Sequence, residues 1–197
     1  MGSVVARERL KERLAQRRAD GARVVFTNGV FDLLHLGHLR YLRQARGLGD
    51  LLVVGVNSDA SARRLKGPAR PLVPDEERAE LLAALDCVDY VAIFDEATAE
   101  ATLALLQPDI YVKGADYAAE ADRQQDTLLT PDALRQALAH DPGLDERLPE
   151  ARVVADYGGS LALLAYLPGH STTDLIDRIV ARYAPGKPIA HDDAPYD

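Results

Sequence analysis

The chain alternates short apolar runs with longer amphipathic segments, and this alternation predicts a parallel sheet covered by helices. Five apolar runs indicate strands, namely RVVFTNG, LLVVGV, YVAIF, IYVKG and SLALLAYL. Uninterrupted apolar runs are typical of strands that are buried on both faces. Segments such as HLRYLRQAR and DEERAELLAAL separate them with helical spacing. We therefore expect a Rossmann-like, doubly wound α/β fold with five parallel strands and helices on both faces.

We expect a single domain over residues 1–184, because 197 residues are about the length of one ordinary domain. Residues 1–20 are predicted to form an N-terminal helix that ends at Gly21. Residues 185–197 are rich in proline and aspartate and are predicted to form a flexible tail.

A polar stretch, residues 118–150, interrupts the alternation of strands and helices and is predicted to be an insertion. Within it, Thr130 and Pro131 are predicted to be the N-cap and the first residue of a short helix that extends to Ala139. The pattern of residues 151–157 fits either a strand or a short helix. A surface segment of this length is usually functional or disordered.

The composition of the chain argues against several classes of partner, location and metal site. The net charge of −8 argues against nucleic acid as a partner. No run approaches 18 apolar residues, so we expect no membrane span, and the N-terminus lacks the apolar core of a secretory signal. The lone Cys87 excludes an intrachain disulfide and zinc sites built on paired cysteines. We expect a soluble, cytoplasmic protein.

Polar motifs follow four of the five predicted strands. They are TNGVFDLLHLGH, NSD, KGADY and PGHSTT. In doubly wound sheets, ligands bind at the carboxyl ends of the strands. The sequence therefore predicts a binding site at this edge, where the four motifs would meet.

The strongest chemical signal is the motif His35-Leu36-Gly37-His38. Two imidazoles at the start of a helix would bind a polyphosphate and stabilise charge that develops on it. Two alternatives stay open. One is a metal site, although no third ligand of recognisable spacing accompanies the pair. The other is a pair of core histidines packed against Leu33 and Leu34.

Two further groups of residues have a phosphate-binding interpretation beside an ordinary one. Lys66 and Lys113 each precede a glycine, and they are either anion ligands or solvated loop lysines. Ser171, Thr172 and Thr173 open the last predicted helix, where they would cap it, bind phosphate oxygens, or do both. The chain has neither GxxxxGK[ST] nor GxSxG.

These motifs resemble the HxGH nucleotidyltransferase superfamily, also called cytidylyltransferase-like. Within it, the chain is similar to the D-glycero-β-D-manno-heptose 1-phosphate adenylyltransferases of ADP-heptose synthesis. The resemblance extends over residues 23–183 and rests on FTNGVFDLLHLGHLRYL combined with NSD, RRLKG, RP, KGADY and PGHSTT. It implies that AMP is transferred from ATP to a sugar 1-phosphate, which gives an ADP-sugar and pyrophosphate.

The resemblance also implies a role for each matching residue. Catalysis would fall to His35 and His38, at the ATP phosphates and the pentacovalent transition state, and to a mobile Lys66. Besides the two histidines, the nucleotide-binding residues would be Gly29, Val30, Phe31, Lys113, Gly114, Gly169, Ser171, Thr172 and Thr173. The acceptor-binding residues would be Asn28, Asp32, Asn57, Asp59, Arg70 and Asp116.

The partners implied are ATP and a sugar 1-phosphate, with Mg²⁺ carried by ATP and no metal site in the protein. We expect a homodimer, and we expect a separate sugar kinase because no kinase domain precedes the motifs. The chain departs from the family at Val30, where cysteine is common, and in the insertion, which follows KGADY and would influence the choice of sugar. A cytidylyltransferase for a polyol phosphate such as glycerol 3-phosphate, and a nucleotide-binding protein without catalysis, are the alternatives.

Overall fold

The computed structural model describes residues 2–115, 125–165 and 169–183, and their strands form one seven-stranded sheet. The strands are β1 (Ser3–Val4), β2 (Val24–Gly29), β3 (Leu51–Asn57), β4 (Tyr90–Phe94), β5 (Ile110–Gly114), β6 (Thr127–Leu129) and β7 (Ser160–Leu164). Their order is β1-β4-β3-β2-β5-β7-β6, and only the pair β6–β7 is antiparallel among the described strands. The Rossmann-like α/β prediction is confirmed.

Helices pack on both faces of the sheet. They are α1 (Arg7–Ala19), α2 (Leu36–Arg46), α3 (Asp59–Lys66), α4 (Asp75–Ala83), α5 (Glu100–Leu106), α6 (Pro131–His140), α7 (Pro142–Arg147), α8 (Glu150–Tyr157) and α9 (Thr172–Tyr183). Apolar residues of α1, α5, α6, α7 and α8 form one buried cluster, and those of α2 and α4 form another. All seven residues of β3 are buried between the two layers. None of the described helices is long and apolar enough to cross a bilayer.

The predicted count of five strands is wrong, because two short strands pair at the edges of the sheet. Ser3 lies opposite Tyr90 of β4, so the first residues extend the sheet and α1 begins only at Arg7. Leu128 lies opposite Ala162 of β7. Strands of two or three residues are too short to show an alternation of apolar and polar positions. Their conformation is fixed by the neighbouring strand.

The described part of the insertion, residues 125–150, folds onto the core. Thr130 accepts a hydrogen bond from the Ala133 amide at 3.4 Å, which confirms the predicted start of α6. Leu134 of α6, Leu144 of α7 and Leu148 after α7 are buried in the cluster with α1 and α5. The ambiguous residues 151–157 are helical, within α8. Residues 118–124 and the predicted tail 185–197 lie outside the described residues.

Candidate active site

A cavity of about 660 Å³ opens at the carboxyl ends of the central strands. Asn28 and Gly29 line it from the end of β2, Asn57 from β3, and Lys113 and Gly114 from β5. The motifs that follow these strands meet there because parallel strands end at the same edge of the sheet. The Tyr111 hydroxyl donates to Asn28 Oδ1 at 2.7 Å and orients that side chain.

The cavity gathers most of the residues selected from the sequence. Those that line it are Asn28, Gly29, Val30, Phe31, Asp32, His38, Asn57, Lys66, Arg70, Lys113, Gly114, Thr172 and Thr173. Within the described ranges, the selected residues that do not line it are His35, Asp59, Gly169 and Ser171. Asp116 lies outside the described residues.

His35 and His38 form a stacked pair at the start of α2. Their ring centroids are 3.8 Å apart with the planes inclined by 22°, and the Phe31 ring packs edge-on with His38 at a centroid distance of 5.3 Å. A side chain at Gly37 would approach His35 Nδ1 to 2.9 Å and His170 to 3.0 Å, so only glycine permits this packing. Among the described residues, neither Nδ1 atom has a hydrogen-bond partner, although both are buried. Buried polar atoms of this kind are costly unless a ligand satisfies them.

We expect His38 to be neutral well below the pH at which free histidine titrates. Burial, and secondarily the nearby His35, lower its pKa from 6.5 to about 4. An unfolded chain then binds more protons than the folded protein between these pH values, so the free energy of unfolding should fall as the pH drops from 6.5 to about 4. NMR titration of the His38 imidazole would contradict this if its midpoint lay near 6.5.

The last helix offers its N-terminus to the cavity. Ser171 Oγ accepts a hydrogen bond from the Asp174 amide at 3.0 Å, so Ser171 caps α9. Thr172 and Thr173 follow it and line the cavity. The first N–H groups of a helix lack partners within the helix and attract anions. Gly169 has a φ of 73°, a conformation that glycine adopts freely and that turns the chain towards α9.

Asp32 is a buried residue of the cavity lining that anchors Arg70. Its Oδ2 accepts from Arg70 Nη1 at 2.7 Å, and its Oδ1 accepts from the amides of Leu72 and Val73 at 2.7 and 3.0 Å. Burial by itself would raise the pKa of Asp32, but these hydrogen bonds and the Arg70 charge hold it below the usual value. Asp32 is therefore an ionised group that orients Arg70, not a free base.

Comparison with known proteins identifies the family. Residues 26–178 match the family described as cytidylyltransferase-like. The chain belongs to this family. It is therefore a nucleotidyltransferase of the cytidylyltransferase-like type, as the motifs from HxGH to STT predict.

Named relatives of this cytidylyltransferase-like chain cover most of its length. It is 48% identical over 180 residues to the bifunctional protein HldE of Syntrophotalea carbinolica, covering 91% of the chain and 31% of HldE. It is 50% identical over 159 residues to the HldE of Geotalea uraniireducens, covering 81% of the chain and 27% of HldE. The chain thus spans about a third of these relatives.

A solved structure is also similar to this chain. It is a lipopolysaccharide core biosynthesis protein from Thermoplasma volcanium, with 37% sequence identity and a TM-score of 0.45. The match covers 53% of this chain and 84% of that one.

Arg78 of α4 does not line the cavity but connects the segments that do, a role that the sequence did not reveal. It is fully buried, and it donates to the backbone carbonyls of Val30, Val73 and Asn57 and to Asp59 Oδ1 at 2.9 Å. Arg78 thereby joins the loops that follow β2 and β3 beneath the cavity. Asp59 does not line the cavity, and its carboxylate pairs with Arg78.

Several residues that do line the cavity were not predicted from the sequence either. Tyr41 of α2 shares a hydrogen bond of 2.7 Å with Thr27 and donates to the Val112 carbonyl at 3.1 Å, which fixes α2 against the strands. The remaining missed residues of the lining are Leu65, Ala97, Thr98, Arg147, Pro149 and Glu150. The last three come from the end of the insertion, which thus contributes to the site.

Proposed function

We propose that this chain transfers AMP from ATP to a sugar 1-phosphate, specifically a heptose 1-phosphate of the D-glycero-β-D-manno type. The products are the ADP-sugar and pyrophosphate. The observation that carries the proposal is the stacked pair of His35 and His38, whose buried Nδ1 atoms lack partners in the described structure, next to the open start of α9. Such an arrangement suits an anion that must be bound and then stabilised as its charge shifts.

The reaction follows from the charges of the two substrates. An oxygen of the sugar phosphate attacks the α-phosphorus of ATP, a new phosphoanhydride bond forms, and the bond to the β-phosphate breaks to release pyrophosphate. The attacking oxygen is already an anion, so no general base is required. His35, His38, Lys66 and the N–H groups at the start of α9 position the phosphates and offset the developing charge.

Mg²⁺ is proposed to reach the site as part of the ATP complex. Within the described residues, no group of three or more histidine, cysteine, aspartate or glutamate side chains could hold a metal ion. The cavity carboxylates of Asp32 and Glu150 are engaged by Arg70 and by backbone amides. The triphosphate would therefore supply the ligands, as is common for Mg²⁺ bound with nucleotides.

The acceptor and the nucleotide are inferred from the resemblance in ARRLKGPARP and KGADY and from the HldE relatives. A phosphoryl-transfer reaction must supply the sugar 1-phosphate. We also propose a cytoplasmic homodimer.

A substrate panel tests the proposed function. ATP, CTP, GTP and UTP are each combined with both anomers of heptose 1-phosphate, with other sugar 1-phosphates and with glycerol 3-phosphate, and pyrophosphate release is measured. We expect the highest kcat/KM for ATP with the β-anomer of heptose 1-phosphate. A preference for CTP with glycerol 3-phosphate would favour the polyol cytidylyltransferase. ATP binding without pyrophosphate release in every combination would indicate a non-catalytic protein.

Lys66→Ala is expected to lower kcat/KM by at least about tenfold, because a charge-assisted hydrogen bond contributes about 1.5–3 kcal/mol. Lys66 is the last residue of α3, is exposed, and lines the cavity. Lys11→Ala is the matched control, since Lys11 is an exposed lysine on α1. Steady-state kinetics on both variants give the comparison. Equal and small effects of the two substitutions on kcat/KM would show that Lys66 is an ordinary solvated lysine.

A further inference from the structure

The charged lining of the cavity is mostly cationic, although the whole chain carries a net charge of −8. In the described structure, the lysines and arginines of the lining are Lys66, Arg70, Lys113 and Arg147. The lining carboxylates already accept hydrogen bonds, Asp32 from Arg70 and Glu150 from the Ala99 amide at 3.2 Å. Of these four cations, only Arg147 is not among the site residues that the resemblance implies.

The insertion holds Arg147 at the wall of the cavity. Arg147 is the last residue of α7, and Leu144 and Leu148 on either side of it are buried in the core. Asp141 accepts from the Gly143 amide at 3.0 Å and from Arg147 Nη2 at 2.7 Å, so one carboxylate both caps α7 and orients the guanidinium. The Arg147 side chain is 40% exposed, which leaves it accessible to a ligand in the cavity.

Topology places this wall near β4. Glu150 bonds to the amide of Ala99, which follows the lining residue Thr98 after β4. The start of α9 follows β7. In the sheet order β4-β3-β2-β5-β7, the strands β4 and β7 lie on opposite sides of β2, the strand that precedes the two histidines. A triphosphate between the histidines and α9 therefore leaves the half near β4 to the second substrate.

We propose that Arg147 binds the acceptor sugar phosphate and determines which sugar is accepted, an inference that rests on the proposed function. Its guanidinium presents several N–H donors in a fixed plane, which suits the phosphate and hydroxyl oxygens of a sugar phosphate. Arg147 belongs to the polar insertion, which the sequence predicts to influence the choice of sugar. The insertion thus carries a specificity-determining residue into the site.

The test compares Arg147→Gln with Arg152→Gln. Arg152 also pairs with an aspartate, Asp145 at 2.7 Å, and in the described structure it does not line the cavity. We expect Arg147→Gln to raise KM for heptose 1-phosphate about 10- to 100-fold and to change KM for ATP less than twofold. The kcat/KM values for different sugar 1-phosphates should become more similar to one another. Arg152→Gln should leave all three unchanged.

Two results would overturn the role of Arg147: equal acceptor KM values in the two variants, or a rise confined to KM for ATP. Thermal melting shows whether each variant is folded. If Arg147→Gln does not fold, Arg147→Lys provides the same comparison, because lysine keeps the charge but lacks the planar set of donors. The wild-type protein is measured in parallel. Failure of the wild type to use any sugar phosphate would refute the proposed function and this inference together, whereas normal wild-type turnover with unaffected variants would refute this inference alone.

Discussion

Replacing His38 with alanine is expected to lower kcat about 10²–10³-fold, the usual loss when one donor to a transition state is removed. His35→Ala should have an effect of the same size, because the two rings stack at 3.8 Å and are proposed to act on the same phosphates. The fold should survive both changes, since neither Nδ1 atom has a hydrogen-bond partner within the described residues. Steady-state kinetics and circular dichroism measure the two effects separately.

His140→Ala is the matched control for these variants. His140 is exposed at the end of α6, and its ring bonds only to the Gln136 carbonyl among the contacts described. Its replacement should leave kcat within about twofold of the wild-type value, as expected for an exposed residue away from the site. Near-normal turnover of either the His35 or the His38 variant would contradict the phosphate-stabilising role.

The largest loss of stability is expected at Arg78. Arg78→Met fills much of the same volume but leaves three backbone carbonyls and Asp59 without their donor. Removing one partner of a buried charged network costs about 3–5 kcal/mol of unfolding free energy. In a chain of this length, such a loss lowers the Tm by about 10 °C. Chemical denaturation measures the free energy directly.

Arg43→Met provides the comparison on the surface. Arg43 pairs with Asp86 at 3.1 Å, and both side chains are more than half exposed. Exposed pairs contribute about 0–1 kcal/mol, so this variant should remain close to the wild type. If Arg78→Met proved as stable as Arg43→Met, Arg78 would not be the residue that joins the loops after β2 and β3.

The buried strands could be predicted because their signal is local. LLVVGV forms β3, all of whose residues are buried, and no distant contact is needed to recognise such a run. The strands β1 and β6 could not be predicted in the same way. Ser3 and Val4 are extended because the edge of β4 offers them hydrogen-bonding partners, and the sequence pattern does not specify that pairing.

The same distinction applies to the site. Motifs after parallel strands could be placed at one edge of the sheet from topology alone, and His38, Lys113 and Thr172 do line one cavity. The burial of Arg78 could not be predicted, because an arginine beside glutamates in the first turn of a helix is typical of a solvated face. Its burial depends on the carbonyls of Val30 and Asn57, which are distant in the sequence, and on that of Val73. Arg147 likewise reaches the cavity only through the packing of the insertion.

The most direct test of the central claim follows the oxygen atoms of the acceptor. The protein is incubated with MgATP and heptose 1-phosphate that carries ¹⁸O in its phosphate group, and the products are analysed by mass spectrometry. Attack on the α-phosphorus predicts unlabelled pyrophosphate and an ADP-sugar that retains every labelled oxygen, one of them in the new bridge. Formation of ADP with a sugar diphosphate, which indicates attack on the γ-phosphorus, or of labelled free phosphate would contradict the proposed adenylyl transfer.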